Sequence, residues 1–212
     1  MNKTISISII MIFSVFFTGM FVYTDGYEDI QDSVVEVLCL SCLKLDPILP
    51  TQLSYSFETA NNEPHPDFVL NNLTSGIVFL HYSKDACSGC DIILPTIQEL
   101  FSVEYGKEDM FQQQRTFGEN TVHYYYINTD HTTDEKEQSF QIYDKEYVEG
   151  LPMVTIVTLY YDHGTIKPYY TSIYGTLGAK YDTHQKRYDY LTNIISESIG
   201  LWEENIAGYE QL

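Results

Sequence analysis

Two cysteines, Cys87 and Cys90 in the stretch SKDACSGCDIILP at residues 83–95, constrain this chain more than any other feature. An apolar, β-prone run, Ile77 to Leu80 with Tyr82, precedes them. Behind them Ile92, Ile93, Ile97, Leu100 and Phe101 recur at helical spacing. A CxxC set between a strand and the first turn of a helix is the context that makes the motif a redox one. The free N–H groups and positive dipole end of such a helix stabilise a thiolate, which is the reactive form of cysteine. A structural disulfide in an exported protein is the competing reading of the same pair.

Export is suggested by the amino end. Residues 5–23, ISISIIMIFSVFFTGMFVY, carry no charge. At the helical rise of about 1.5 Å per residue they are roughly long enough to cross a bilayer core of about 30 Å. Lys3 before them, with no Lys or Arg close behind, places the amino end in the cytoplasm and the rest outside. The stretch reads as a cleaved signal peptide or as an uncleaved anchor, and Thr18-Gly19-Met20 makes a poor cleavage site. Residues 1–24 are therefore a signal peptide or membrane anchor. Residues 25–50 form a juxtamembrane segment with a second CxxC, Cys39 and Cys42. On a helix these two share a face. They read as a second redox pair exchanging with the first, as an inert disulfide, or as a lipid-modified or metal-bound site. A zinc site of all four cysteines has passable ligands, but it would consume the Cys87 and Cys90 thiols that their motif is built to use.

From residue 51 the chain alternates strand and helix signals. Residues 51–58 read as a strand with Leu53, Tyr55 and Phe57 on one side, 61–66 as a turn and 67–73 as a short helix. Asn72-Leu73-Thr74 matches a glycosylation sequon, a pattern common by chance. Residues 106–120 are polar and read as an insertion or long loop. A strand at 121–128 and a helix at 134–147 follow, and Gly150-Leu151-Pro152 breaks that helix. Residues 153–161 and 165–174 read as a hairpin around Asp162-His163-Gly164. Tyr188, Leu191, Ile194, Ile195 and Ile199 give the last helix, stopping near Gly200, with an acidic tail at 203–212. The expected class is α/β: a central mixed sheet with helices on both faces.

These residues resemble the thioredoxin superfamily over about residues 51–202. Three features carry the resemblance: CSGC at residues 87–90, Pro95 five residues beyond Cys90, and Gly150-Leu151-Pro152 before a strand. The resemblance implies a thioredoxin-like fold and protein-disulfide oxidoreductase activity. Cys87 would be the exposed nucleophile, Cys90 the buried resolving thiol, and Pro152 the cis-proline loop beside the sulfurs. Attack by a Cys87 thiolate gives a mixed disulfide that Cys90 resolves. The chain departs from the family in three places. Ala86 stands where Trp is usual, Ser88-Gly89 replaces Gly-Pro, and His81 occupies the place of a buried acid. A neutral His81 is a candidate proton acceptor for Cys90; a simple packing role in the strand is the alternative. Asp85 and Asp91 flank the motif and oppose thiolate formation, with Lys84 as a partial offset.

Charge narrows the partners. Thirty acidic residues against eleven basic ones give a net charge of -19. That disfavours nucleic acid and docking on anionic lipid through charge. The 19 tyrosines suit strands and half-buried faces. The six histidines show no ligand spacing, and neither cofactor nor metal is expected. The expected partners are disulfide or dithiol client proteins and an integral-membrane redox protein, met by a domain that is membrane-anchored outside the cytoplasm or secreted. A thioredoxin-like binding or assembly module, holding a client or a copper ion without turnover, is the other function class. A copper role would want His81 or His131 near the sulfurs.

Overall fold

The computed structural model describes residues 54–107, 110–132 and 134–209. The membrane or signal stretch at 5–23 and the Cys39/Cys42 pair lie outside the described residues. Strand β1 (Gly76–Ser83) is buried along its whole length. Its continuous apolar run, Ile77 to Leu80, suits a strand covered on both faces. Strand β3 (Asn120–Asn128) pairs with β1 in parallel, and β4 (Met153–Asp162) pairs antiparallel on its other side. A Cβ on Gly76 would stand 2.0 Å from the Thr121 carbonyl oxygen, so the close approach of β1 to β3 at that end requires glycine. Strand β2 (Phe111–Phe117) pairs antiparallel with β3, and β5 (Thr165–Tyr174) with β4. The sheet order is β2-β3-β1-β4-β5.

Side chains alternate across the strands and separate two apolar layers. Ile77 and Phe79 face helix α2 (Ser88–Phe101) and helix α4 (His184–Asn205). Phe79 meets Phe101 edge-on at 4.9 Å, and Phe101 stacks on Tyr124 at 4.2 Å. Val78, Leu80 and Tyr82 face helix α1 (Asp67–Leu73) and helix α3 (Glu135–Tyr143). The protein is thus α/β, with a mixed five-stranded sheet and helices on both faces. Among the described residues no helix is long and apolar enough to cross a membrane.

Several elements differ from the reading of the sequence. The strand expected at 51–58 makes a single bridge within residues 54–58, Ser56 to Tyr170, with backbone bonds of 2.8 and 3.0 Å. Two residues further along that edge β5 carries Pro168, which has no N–H with which to continue the ladder. Tyr55 and Phe57 pack instead on the Tyr169 ring, at 5.0 and 4.4 Å. The expected loop at 106–120 contains β2. Its interior, Gln112 to Thr116, is polar because β2 is an edge strand with alternating exposure, held by backbone pairing to β3. Only Phe111 and Phe117 pack on the core. Helix α4 runs through Gly200 to Asn205, taking in Glu203 and Glu204. Trp202 touches both apolar layers and donates its indole N–H to the Leu73 carbonyl at 2.8 Å. That anchorage outweighs the cost of about 1 kcal/mol for a helical glycine.

Candidate active site

Helix α2 begins at the motif. Cys87 is its N-cap, with extended backbone, and its Sγ accepts the N–H of Cys90 at 3.1 Å. Pro95 sits inside the helix, which continues past it. Cys87 and Cys90 are joined in a disulfide. Cys87 keeps 7% of its surface exposed and Cys90 none, so the outward sulfur is more covered than an exposed nucleophile would be. In the disulfide the first cysteine is folded back over its own helix end.

Pro152 lies against this turn. A Cβ on Gly89 would stand 3.0 Å from Cδ of Pro152, 3.6 Å from Thr176 and 3.8 Å from the Leu151 carbonyl oxygen. Gly89 thus marks where the helix start, the 151–152 segment and the turn after β5 converge. The Leu151–Pro152 peptide is cis. The Pro152 carbonyl accepts the Gly175 N–H at 2.7 Å. Upstream, the buried Asp144 carboxylate gathers the loop that leads into this segment. It accepts the N–H of Val148 at 3.0 Å, that of Glu149 at 2.7 Å and the Tyr174 hydroxyl at 2.7 Å. Tyr147 and Glu149 have positive φ, a conformation other side chains avoid unless held. These bonds end α3 at Tyr143, earlier than the expected 147.

No family model, curated protein or solved structure matches the chain.

Charge at the motif is arranged differently from what the adjacent residues suggest. Lys107 reaches in from the segment before β2. Its Nζ lies 2.6 Å from Asp91 Oδ1, 2.9 Å from the Asp85 carbonyl and 3.4 Å from the Cys87 carbonyl. Asn128 donates to Asp85 at 2.8 Å, and His131 Nε2 lies 2.8 Å from the same carboxylate. Those bonds, Asn128 first and then His131, hold the Asp85 carboxyl below its ordinary range. The two acids thought to oppose a thiolate therefore each have a partner, while the expected offset, Lys84, is exposed.

His81 is completely buried on β1, on the side that carries Ile77 and Phe79 toward α2. Burial pushes its pKa down to about 3, so the ring is neutral. Its Nδ1 lies 3.5 Å from the Tyr124 hydroxyl, and its Nε2 has no partner among the described residues. Among those residues no group of three His, Cys, Asp or Glu is placed to hold a metal. The structure therefore draws together Cys87, Cys90 and Pro152, and puts the neutral His81 on the strand leading into the motif. Lys107, Asn128 and Asp144 were missed from the sequence. A lysine has no signature of its own, and Asp144 reads as one more helical acid.

Proposed function

We propose that the chain is a thiol–disulfide oxidoreductase with a thioredoxin-like fold, working through Cys87 and Cys90. The observation that carries this reading is a disulfide that caps a helix N-terminus, with Pro152 packed over the intervening Gly89. The parallel β1/β3 pair joined through α2, and the antiparallel β4–β5 hairpin followed by α4, support the fold assignment. In the reduced protein the Cys87 thiolate faces the free N–H groups of α2, with the Lys107 ammonium beside its carbonyl. It attacks a client disulfide, one client sulfur leaves as thiolate, and Cys87 is left in a mixed disulfide. Cys90, once deprotonated, attacks the Cys87 sulfur, re-forming the internal disulfide and releasing the second client sulfur; the buried, neutral His81 is the candidate acceptor for the Cys90 proton. The three-residue spacing makes this second step intramolecular and fast. The Pro152 segment packs on Gly89, between the two cysteines, and would form one wall of the client site.

Residues 5–23 would hold this domain outside the cytoplasm, as an anchor or through a cleaved signal. Cys39 and Cys42 would form a second exchange pair between it and a membrane redox partner. The test is reduction of a model protein disulfide by the full-length chain, followed under excess dithiol. Cys87→Ser is expected to drop the rate to that of the dithiol alone. Equal rates for the two proteins would leave the disulfide a structural one.

A further inference from the structure

The two edges of the sheet are finished differently. On the β5 edge Ser56 bridges Tyr170 through backbone bonds of 2.8 and 3.0 Å, and Pro168 offers no N–H. A covering segment and an edge proline are guards against pairing with another chain. The β2 edge carries neither. Among the described residues no hydrogen bond is made to β2 beyond its ladder to β3, so its outward N–H and C=O groups are unpaired. The stretch from Met110 to Gly118 also contains no acid, on a chain whose net charge is -19. Its one charge, Arg115, lies over the Phe117 ring at 5.8 Å and has no ion-pair partner among the described residues. Exposure alternates along the strand. Gln112, Gln114 and Thr116 are exposed, while Phe111, Gln113, Arg115 and Phe117 share the other face, where the two rings pack on the core.

The strand, FQQQRTF, is complementary to itself about its centre. When two copies are laid antiparallel about Gln114, that residue faces its own counterpart. Gln113 then faces Arg115, Gln112 faces Thr116, and Phe111 faces Phe117. We infer that β2 is the surface through which two copies of this chain associate, edge to edge, about a two-fold axis at Gln114. The pairing joins the two five-stranded sheets into one and satisfies the outward backbone groups of both edges. It is isologous and closes on itself, so it stops at two copies. Each Arg115 guanidinium donates to the Gln113 side-chain carbonyl of the second copy. Each Phe111–Phe117 pair extends the apolar layer that those rings already join. No acid comes to lie opposite an acid within the strand pair. The charge of -19 on each copy opposes approach as a whole, and salt screens that repulsion. One pair of strands is a small contact, so the association is reversible and depends on concentration.

The experiment is cross-linking of the full-length chain in detergent micelles, with Cys39→Ser and Cys42→Ser and with the Cys87–Cys90 disulfide kept oxidised. Gln114→Cys, treated with a short bismaleimide, is expected to give a covalent dimer. Gln112→Cys and Thr116→Cys are each expected to stay monomeric alone and to give the dimer when mixed. That pattern belongs to the two-fold register, so copies gathered in one micelle by residues 5–23 do not reproduce it. Added salt should raise the yield. Gln114→Glu sets two carboxylates opposite each other and should weaken association about fivefold at neutral pH, read by sedimentation. All three positions are exposed, so these variants leave the fold intact. A Gln114→Cys chain that stays monomeric would overturn the proposal. Rapid maleimide labelling of that monomer would then mean an edge open to a different protein, and blocked labelling an edge covered by the chain's own residues. Equal cross-linking of all three single variants would overturn it as well, since no register would then hold.

Discussion

Lys107 is the residue whose removal should say most about the cysteine whose carbonyl it approaches. Its ammonium bridges the Asp91 carboxylate and the Cys87 carbonyl, and its own carbonyl accepts the Asn128 amide at 2.7 Å and the Tyr126 hydroxyl at 3.0 Å. The backbone bonds hold the segment whatever the side chain, so Lys107→Met removes charge and little else. Asp91 is then uncompensated in the first turn of α2. Ionisation of the Cys87 thiol should move to higher pH and the reduction potential should become more negative, since the thiolate form is less stabilised. Exchange at neutral pH should slow by about three- to tenfold. Thiolate absorbance against pH, together with equilibration against a glutathione buffer, measures both, and an unchanged profile would mean that the lysine only props the loop. The sulfurs themselves were legible because their signal is local: CxxC after an apolar run and before a helical one. Lys107 was not, because it lies twenty positions beyond Cys87 in sequence, in a polar stretch that reads as loop.

At the scale of elements, local pattern sufficed where a segment buries its own apolar face. Helix α1 and strands β1, β4 and β5 lie where periodicity places them, and the β4–β5 turn follows from His163-Gly164, both at positive φ. Pattern failed where pairing alone makes the element, as in β2, or where one tertiary anchor extends it, as in α4. The loop from α3 to Pro152 is a third case. Asp144 does for this loop what a cap does for a helix, collecting two backbone N–H groups and a tyrosine hydroxyl in one buried carboxylate. Asp144→Ala leaves those donors buried and unpaired. It should cost about 2–4 kcal/mol of stability in denaturant unfolding. It should also slow exchange, because the Pro152 wall loses its tether. A loss below about 1 kcal/mol would mean that water replaces the carboxylate at little cost.

For the whole molecule, desolvation lowers the pKa of three histidines, the buried His81 and His123 and the half-buried His65. Burial lowers the pKa of His65 to about 4 and that of His81 to about 3, and it lowers that of His123. Unfolded, each titrates near 6.5, so between pH 6.5 and 4 the unfolded chain binds more protons and gains on the folded one. The His65 contribution is fully present above pH 6.5 and is lost as pH falls through that window. The large negative charge complicates the total, since protonating surface acids relieves repulsion over part of the same range. A difference isolates one site. The stability gap between wild type and His65→Gln should be constant above pH 7 and shift against wild type as pH falls from 6.5 to 4, read from urea midpoints. A gap independent of pH would mean that His65 protonates freely in the folded state.

The anchorage of α4 has a practical consequence. Trp202 is the single tryptophan of the chain, and it rests on the apolar packing of both faces of the sheet. Its emission is therefore an intrinsic gauge of whether the two layers are closed on the sheet together, and it requires no added label.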